Sequence, residues 1–386
     1  MDRLRPYRRF STTLTAATLL AASLSVAMPC PAREPDGRKV EQAVIKALDY
    51  LRQRGQAEDG SFSKQQGPAV TALVTTAILR SGRSPDDPLA AKGLKYVEGF
   101  VQDDGGIYRD GSVVQNYETC LALVCFVEAN RDGRYDELIA NAEKFIKHLQ
   151  WDGEEGHDES SFNYGGAGYG KSKRPDLSNT NFLLDALKAA GNGPDDEAVK
   201  KALIFVARCQ NLETEHNTTP FAALNPDGGF YYTAAAGGES QAGKDDDGAL
   251  RSYGSMTYAG LKSMIFAGVG PDDPRVKAAI GWLKKHYSLE TNPGMGDNGL
   301  YYYYHTFAKA LDALGQEVFE DEDGVKHEWR KELAAELVAR QQPDGSWINE
   351  NGRWLEGDAN LVTGYALLTL SYCHPQKSAK HKSVEE

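Results

Sequence analysis

Three ionisable side chains fall near the start of otherwise apolar segments, at Glu118, His305 and Asp358. A carboxylate among leucines and alanines costs several kcal/mol unless it is paired, and a carboxylate beside an imidazole can exchange protons with a ligand. We therefore predict these three as catalytic residues, with Glu118 and His305 as an acid–base or ion pair. The simpler interpretation makes Asp358 a helix cap and His305 a buried histidine with satisfied hydrogen bonds.

Other polar and tyrosine side chains occupy similar positions before or within the first turns of apolar segments. We expect them to converge on one ligand cavity. Asp176 and Asn116 could instead cap helices, and the tyrosines could fill a core with their hydroxyls bonded. The residues expected to line the cavity are Asn116, Tyr117, Asp176, Asn179, Asn181, Tyr253, Tyr301, Tyr304 and Asn360.

The elements that must position these residues repeat along the chain. A Gly-centred turn separates two helix-like segments six times, at Gly60, Gly105, Gly165, Gly228, Gly299 and Gly345. The clearest copies place a glutamine before the glycine and an aromatic residue after it, as in Gln341 to Trp347. Asp and Gly suit the left-handed backbone of a sharp helix exit, and the glutamine can bond exposed backbone groups. A helix pair of this kind must stack on its neighbours to bury its apolar face.

Two kinds of helix alternate. Those before the turns mix charges with hydrophobes, as solvent-facing helices do, and those after the turns are apolar nearly all round. Six of each predict an all-α fold, an α/α toroid (α6/α6 barrel) of six helical hairpins, with an open solenoid as the competing geometry. The first set spans about 38–54, 88–102, 135–150, 196–210, 274–288 and 326–342, and the second about 68–81, 114–129, 177–190, 252–267, 300–314 and 359–373.

The two ends of the chain differ from this repeat. Residues 1–32 combine four arginines, an apolar stretch and a small-residue cleavage site, which predicts a secretory signal peptide and an exported protein, periplasmic or extracellular. Residues 38–375 are then the toroid, and 376–386 a disordered tail. Loss of four arginines and one aspartate moves the formal charge from -12 to -15, so nucleic acid is not expected as a partner. No later apolar run is long enough to anchor the chain in a membrane.

The Gln-x-x-x-Gly-x-aromatic turns, with the helix before Gln341 and the segment from Lys201 to Gln210, resemble the repeat of the squalene cyclase and protein prenyltransferase superfamily. The resemblance covers about residues 40–373. It implies an α6/α6 toroid with a ligand cavity at one mouth of the inner helices. It also implies a terpenoid-cyclase-like enzyme acting on a lipidic or small ligand.

The superfamily's catalytic motifs are degraded here. After Gly228-Gly229-Phe230, the run Lys244-Asp-Asp-Asp247 has lysine where a class II cyclase has its first acid, and we interpret it as a solvated loop. His305 matches the zinc histidine of prenyltransferases, but Ser252 to Gly254 cannot supply the other ligands. We expect no cofactor and no metal. A scaffolding toroid that binds a lipid, glycan or peptide, and a carbohydrate-active α6/α6 enzyme using Glu118, Asp176 or Asp358, remain as alternatives.

Four cysteines follow the predicted signal segment, and an even count permits disulfides in an oxidising compartment. Cys120 and Cys125 lie in an apolar helix pattern, which favours buried small hydrophobes instead.

Overall fold

The computed structural model describes residues 37–170 and 174–373. The predicted signal segment 1–32 and the predicted tail 376–386 lie outside these ranges. Within them, every segment predicted to be helical contains one α-helix. No helix in the described ranges combines the length and apolarity needed to cross a membrane.

The helices alternate between an outer and an inner layer. The outer helices are α1 (Gly37–Tyr50), α3 (Pro88–Glu98), α5 (Asp136–His148), α7 (Glu197–Arg208), α9 (Pro274–Lys285) and α11 (Trp329–Arg340). The inner helices are α2 (Pro68–Arg80), α4 (Gln115–Ala129), α6 (Leu177–Ala189), α8 (Gly254–Phe266), α10 (Leu300–Leu314) and α12 (Ala359–Cys373). A two-stranded antiparallel hairpin, β1 (Phe319–Glu320) and β2 (Lys326–His327), precedes α11.

The inner helices form a closed ring. Each packs against the next inner helix, and α12 packs against α2. In α2 every residue from Pro68 to Leu79 is buried, whereas α1 buries only Val40, Ala43, Ala47 and Leu48. An apolar surface on all sides requires cover on all sides, and a second layer of helices supplies it. The predicted toroid of six hairpins is therefore confirmed, and the open solenoid is excluded.

Glutamines at five of the six repeat turns bond backbone carbonyl groups, as predicted, and four of them also join neighbouring hairpins. Gln341 Nε2 donates to Gly345 O at 2.9 Å and to Ala43 O of α1 at 2.8 Å. The last hairpin is thereby bonded to the first. Gln56, Gln150 and Gln210 make the same link to α3, α7 and α9.

The turn glycines lie against the next outer helix. Gly345 has φ +94°, and a Cβ there would stand 2.4 Å from Lys46 O. Gly299 differs from the other five, because it has φ +64°, lies directly before α10 and faces the ring of Trp354. The fifth hairpin therefore has no docking turn of this kind, although Gly299 does lie between α9 and α10 as predicted.

The helix caps and the state of the cysteines are those expected from the sequence. Asp87, Asp196 and Asp273 cap α3, α7 and α9 by accepting backbone N–H groups. Cys120, Cys125, Cys209 and Cys373 are buried free thiols.

Candidate functional site

A cavity of about 360 Å³ lies where the N-terminal ends of the six inner helices meet. Each inner helix places a residue from its first two turns, or from immediately before it, on the wall, as predicted for this mouth of the ring. The loops between helices supply the remaining side chains. The wall consists of Gln66, Ala69, Val70, Val114, Tyr117, Tyr169, Ser178, Asn179, Phe182, Tyr232, Gln241, Tyr253, Ser255, Met256, Tyr302, Trp354, Leu355, Glu356, Leu361 and Tyr365.

Three of the predicted lining residues, Tyr117, Asn179 and Tyr253, lie on this wall. The other six do not, and neither do Glu118, His305 and Asp358. Successive residues of a helix point about 100° apart, so neighbours in sequence face different surroundings. In α10, Tyr302 faces the cavity, whereas the Tyr304 hydroxyl donates to Leu289 O at 2.5 Å. Tyr301 packs edge-on against Tyr304.

Glu118 is buried outside the cavity wall, 2% exposed. A Cβ added to Gly67 would lie 2.5 Å from its Oε1, and its Oε2 has no hydrogen-bond partner. Burial raises the pKa of Glu118, and nearby Ser112 and Arg109 counteract this.

His305 occupies a different environment, deeper in the ring. Its imidazole lies beside the rings of Tyr365 and Tyr372, with centroids 5.8 Å and 6.2 Å away. Burial lowers the pKa of His305 well below its ordinary value, and the Lys309 ammonium group lowers it further. The two side chains thus have separate surroundings, and the expected pairing of Glu118 with His305 is not found.

The remaining predicted residues bond other protein groups away from the cavity. Asp358 caps α12 by accepting from Asn360 N at 2.9 Å. Asn360 Nδ2 donates to Gly55 O at 3.3 Å, and Asn116 Nδ2 to Gly168 O at 2.9 Å. Asn181 accepts from Ser263 Oγ inside the ring. For Asp358, the simpler interpretation as a cap describes its contacts.

Asp176 lies directly behind the wall and is held by groups that line it. Its carboxylate caps α6, accepting from Asn179 N and Asn179 Nδ2, both at 2.8 Å. The Tyr232 hydroxyl lies near this carboxyl group and lowers its pKa by favouring the ionised form. Burial raises the pKa of Asp176 to about 6, against the lowering effect of these hydrogen bonds. Asn179 Oδ1 has no partner. Asp176, Asn179 and Tyr232 therefore form a polar, protonatable corner of the cavity.

Glu356 is a wall residue that the sequence did not reveal, because it lies in the irregular loop before α12. Its Oε1 accepts from Tyr302 N at 2.8 Å, at the start of α10, and its Oε2 accepts from Asn349 Nδ2 at 2.7 Å. Burial raises the pKa of Glu356. The wall also includes four residues that the sequence did not predict, because their position in a loop or the rotation of their helix gave no signal. These are Tyr232, Gln241, Trp354 and Tyr365.

The wall carries little charge. Within residues 37–170 and 174–373 it includes no lysine or arginine, and Glu356 is its one carboxylate. The same ranges hold no group of three or more His, Cys, Asp or Glu side chains arranged to bind a metal. The acidic run at Lys244 to Asp247 forms a turn at the surface, bridged at Lys244 and Leu250, and contributes nothing to the wall.

Charged side chains are buried deeper in the ring. Asp185 bonds Lys262 and lies 2.7 Å from Lys309 Nζ. Burial alone would raise the pKa of Asp185, but the two ammonium groups hold it at about 2. A carboxylate with two lysines is a satisfied group in this apolar ring.

Comparison with known proteins supports the architecture. The chain matches no protein-family model and no curated protein sequence. Its structure is similar to the type II terpene cyclase MstE from Scytonema, with 14% identity and a TM-score of 0.53 over 87% of this chain and 98% of that one. It is also similar to a polysaccharide lyase (11% identity, TM-score 0.52, 87% and 96% covered). A D-mannose isomerase gives 11% identity and a TM-score of 0.54, with 89% and 100% covered.

The chain is thus an α/α toroid with the fold of terpenoid cyclases and related toroid enzymes. At these identities the likeness establishes the fold, and function must come from the site.

Proposed function

We propose that this protein is a terpenoid-cyclase-like enzyme of the squalene cyclase and prenyltransferase repeat type, acting on a neutral, lipid-like ligand in the tyrosine-lined cavity. The main support for this proposal is the composition of the cavity wall. Six tyrosines, Phe182 and Trp354 face the cavity together with aliphatic side chains. A prenyl diphosphate or an anionic polysaccharide would require lysine or arginine for its charges, and the described wall provides neither.

Asp176 is the proposed general acid. A carboxyl group of pKa about 6 remains partly protonated at mildly acidic pH. Tyr232 lines the cavity and lies close enough to Asp176 to influence its pKa, so in the proposed relay the Tyr232 hydroxyl passes its own proton to the ligand while taking the carboxyl proton. This transfer leaves Asp176 ionised and the ligand positively charged, and the aromatic faces stabilise that charge. An acid of this strength suits an oxygen function, such as an epoxide or carbonyl, better than an alkene.

The location belongs to the same proposal. The basic and apolar pattern of residues 1–32 supports export, with the toroid acting in the periplasm or outside the cell.

The test uses protein purified from its own host and the recombinant chain. Native mass spectrometry should show a retained neutral lipid, and incubation with isoprenoid epoxides should yield products detectable by gas chromatography. D176N and Y232F should keep binding and lose product. Y108F is the matched control, because the Tyr108 hydroxyl donates to Asp104 in the exposed turn between α3 and α4, away from the cavity wall. Wild-type protein that binds no isoprenoid, or variants with full turnover, would contradict the proposal.

A carbohydrate-active enzyme is the second candidate. Glu356 favours it, since a buried carboxyl on the wall beside aromatic faces could serve a sugar ring. Solved toroids of similar fold include a polysaccharide lyase and a D-mannose isomerase. Retention of a neutral oligosaccharide, with loss of turnover in E356Q, would select this candidate. A ligand that is bound and never converted would indicate a binding protein.

A further inference from the structure

Trp354 and Leu355 combine three unusual properties at the mouth of the cavity. Both line it, yet they remain 43% and 47% exposed. Both have left-handed backbone, with φ of 54° and 67°. Two consecutive residues other than glycine in this region are strained, and such strain concentrates at ligand clamps and active sites.

Neighbouring groups hold this apolar pair in place. The Arg353 guanidinium lies 4.3 Å from the centroid of the Trp354 ring and donates to Gln241 Oε1 at 2.8 Å. The Trp354 ring lies against Gly299, where a Cβ would approach it to 2.9 Å. Leu355 O accepts from Asp358 N at 2.8 Å. The pair is therefore a fixed surface rather than a loose loop.

We infer that Trp354 and Leu355 bind the part of a hydrocarbon chain that extends beyond the cavity, so that the ligand is a lipid longer than the cavity can enclose. This inference rests on the proposed function. The cavity of about 360 Å³ opens to solvent beside these two partly exposed side chains. A longer isoprenoid or acyl chain must leave by the mouth. There the exposed apolar pair continues the cavity wall and would be covered by the chain.

A chain-length series tests this inference. Dissociation constants are measured for isoprenyl alcohols of increasing length, from geraniol to a hexaprenyl alcohol, with wild type, W354A and L355A. Wild-type affinity should keep rising after the cavity is filled. Each variant should lose about tenfold more affinity for the longest alcohol than for the shortest, because each truncation removes several methylene-sized contacts with the part of the chain outside the cavity. V318A is the matched control, because it truncates an apolar side chain that is 44% exposed and lies just before β1. It should change the affinity for neither the longest nor the shortest alcohol.

L355G separates the side chain from the backbone. Glycine adopts a φ of 67° without strain, so stability should be held or raised while binding of the longest alcohol falls. If Leu355 served only the fold, L355G would not combine unchanged or higher stability with weaker binding of the longest alcohol. If wild type binds every alcohol and W354A and L355A reproduce its length dependence, the inference is overturned while the proposed function stands. If no alcohol binds wild type, the proposed function fails first.

Discussion

Replacing Asp176 by asparagine should change how stability depends on pH. The residue is 2% exposed, and its pKa rises from 3.8 to about 6 in the folded protein. Between these values the folded state holds a proton that the unfolded state has released. Stability therefore falls as pH rises through this window and stays lower above it. About two pKa units correspond to about 3 kcal/mol.

D176N carries no charge at any pH, and asparagine caps helices about as well as aspartate. The free energy of unfolding of D176N, minus that of wild type, should increase by about 2.4 kcal/mol between pH 4 and pH 7, because the unfolded carboxyl is already partly ionised at pH 4. Urea denaturation at a series of pH values measures this difference. Subtracting the wild-type curve removes the contribution of all other titrating groups.

D273N provides the control, because Asp273 caps α9 through the same kind of bond, accepting from Arg275 N at 2.8 Å. The Arg275 side chain lowers the pKa of Asp273, so the difference between D273N and wild type should not increase from pH 4 to pH 7. Parallel curves for D176N and wild type would refute the assignment of a buried, protonatable Asp176, and with it the proposed general acid.

One further substitution tests the closure of the ring, and another tests whether Glu118, which was expected to pair with His305, takes part in ligand binding. G345A should lower the free energy of unfolding, measured by urea denaturation, by about 3 kcal/mol, since it adds a Cβ 2.4 Å from Lys46 O to a left-handed residue. G315A, at a left-handed residue with φ +70° and open space around it, should lower the free energy of unfolding by about 1 kcal/mol. Equal losses would mean that the Gly345 turn does not close the ring. E118Q should leave binding of isoprenyl alcohols unchanged, because Glu118 lies off the cavity wall, and weaker binding measured by calorimetry would return Glu118 to the site.

The fold could be predicted because its information is local and repeated. Apolar periodicity separated inner from outer helices, and Asp87, Asp196 and Asp273 marked helix starts through cap chemistry that acts within three residues. The glutamine turns were also visible. Their bonds to the next outer helix were not, because Ala43 and Gln341 are separated by almost the whole chain.

The site was predicted only in outline. Its place at the N-terminal ends of the inner helices followed from the repeat, and Tyr117, Asn179 and Tyr253 lie on its wall. Which of the other helical side chains face the cavity depends on the rotation of about 100° from one residue of a helix to the next. It turned Tyr302 toward the cavity and Tyr304 away, a difference that composition cannot express.

The sequence by itself determined six helical hairpins, their layers and the end of the ring at which polar groups gather, because each of these depends on neighbours within a few residues. The tertiary structure alone decided which side chains share a cavity. It placed Glu118 and His305 in separate surroundings, brought Tyr232 to Asp176, and placed Glu356 and Trp354 on the cavity wall. Burial and hydrogen bonding fix the chemistry of a carboxyl group, and both are properties of neighbours far apart in the chain.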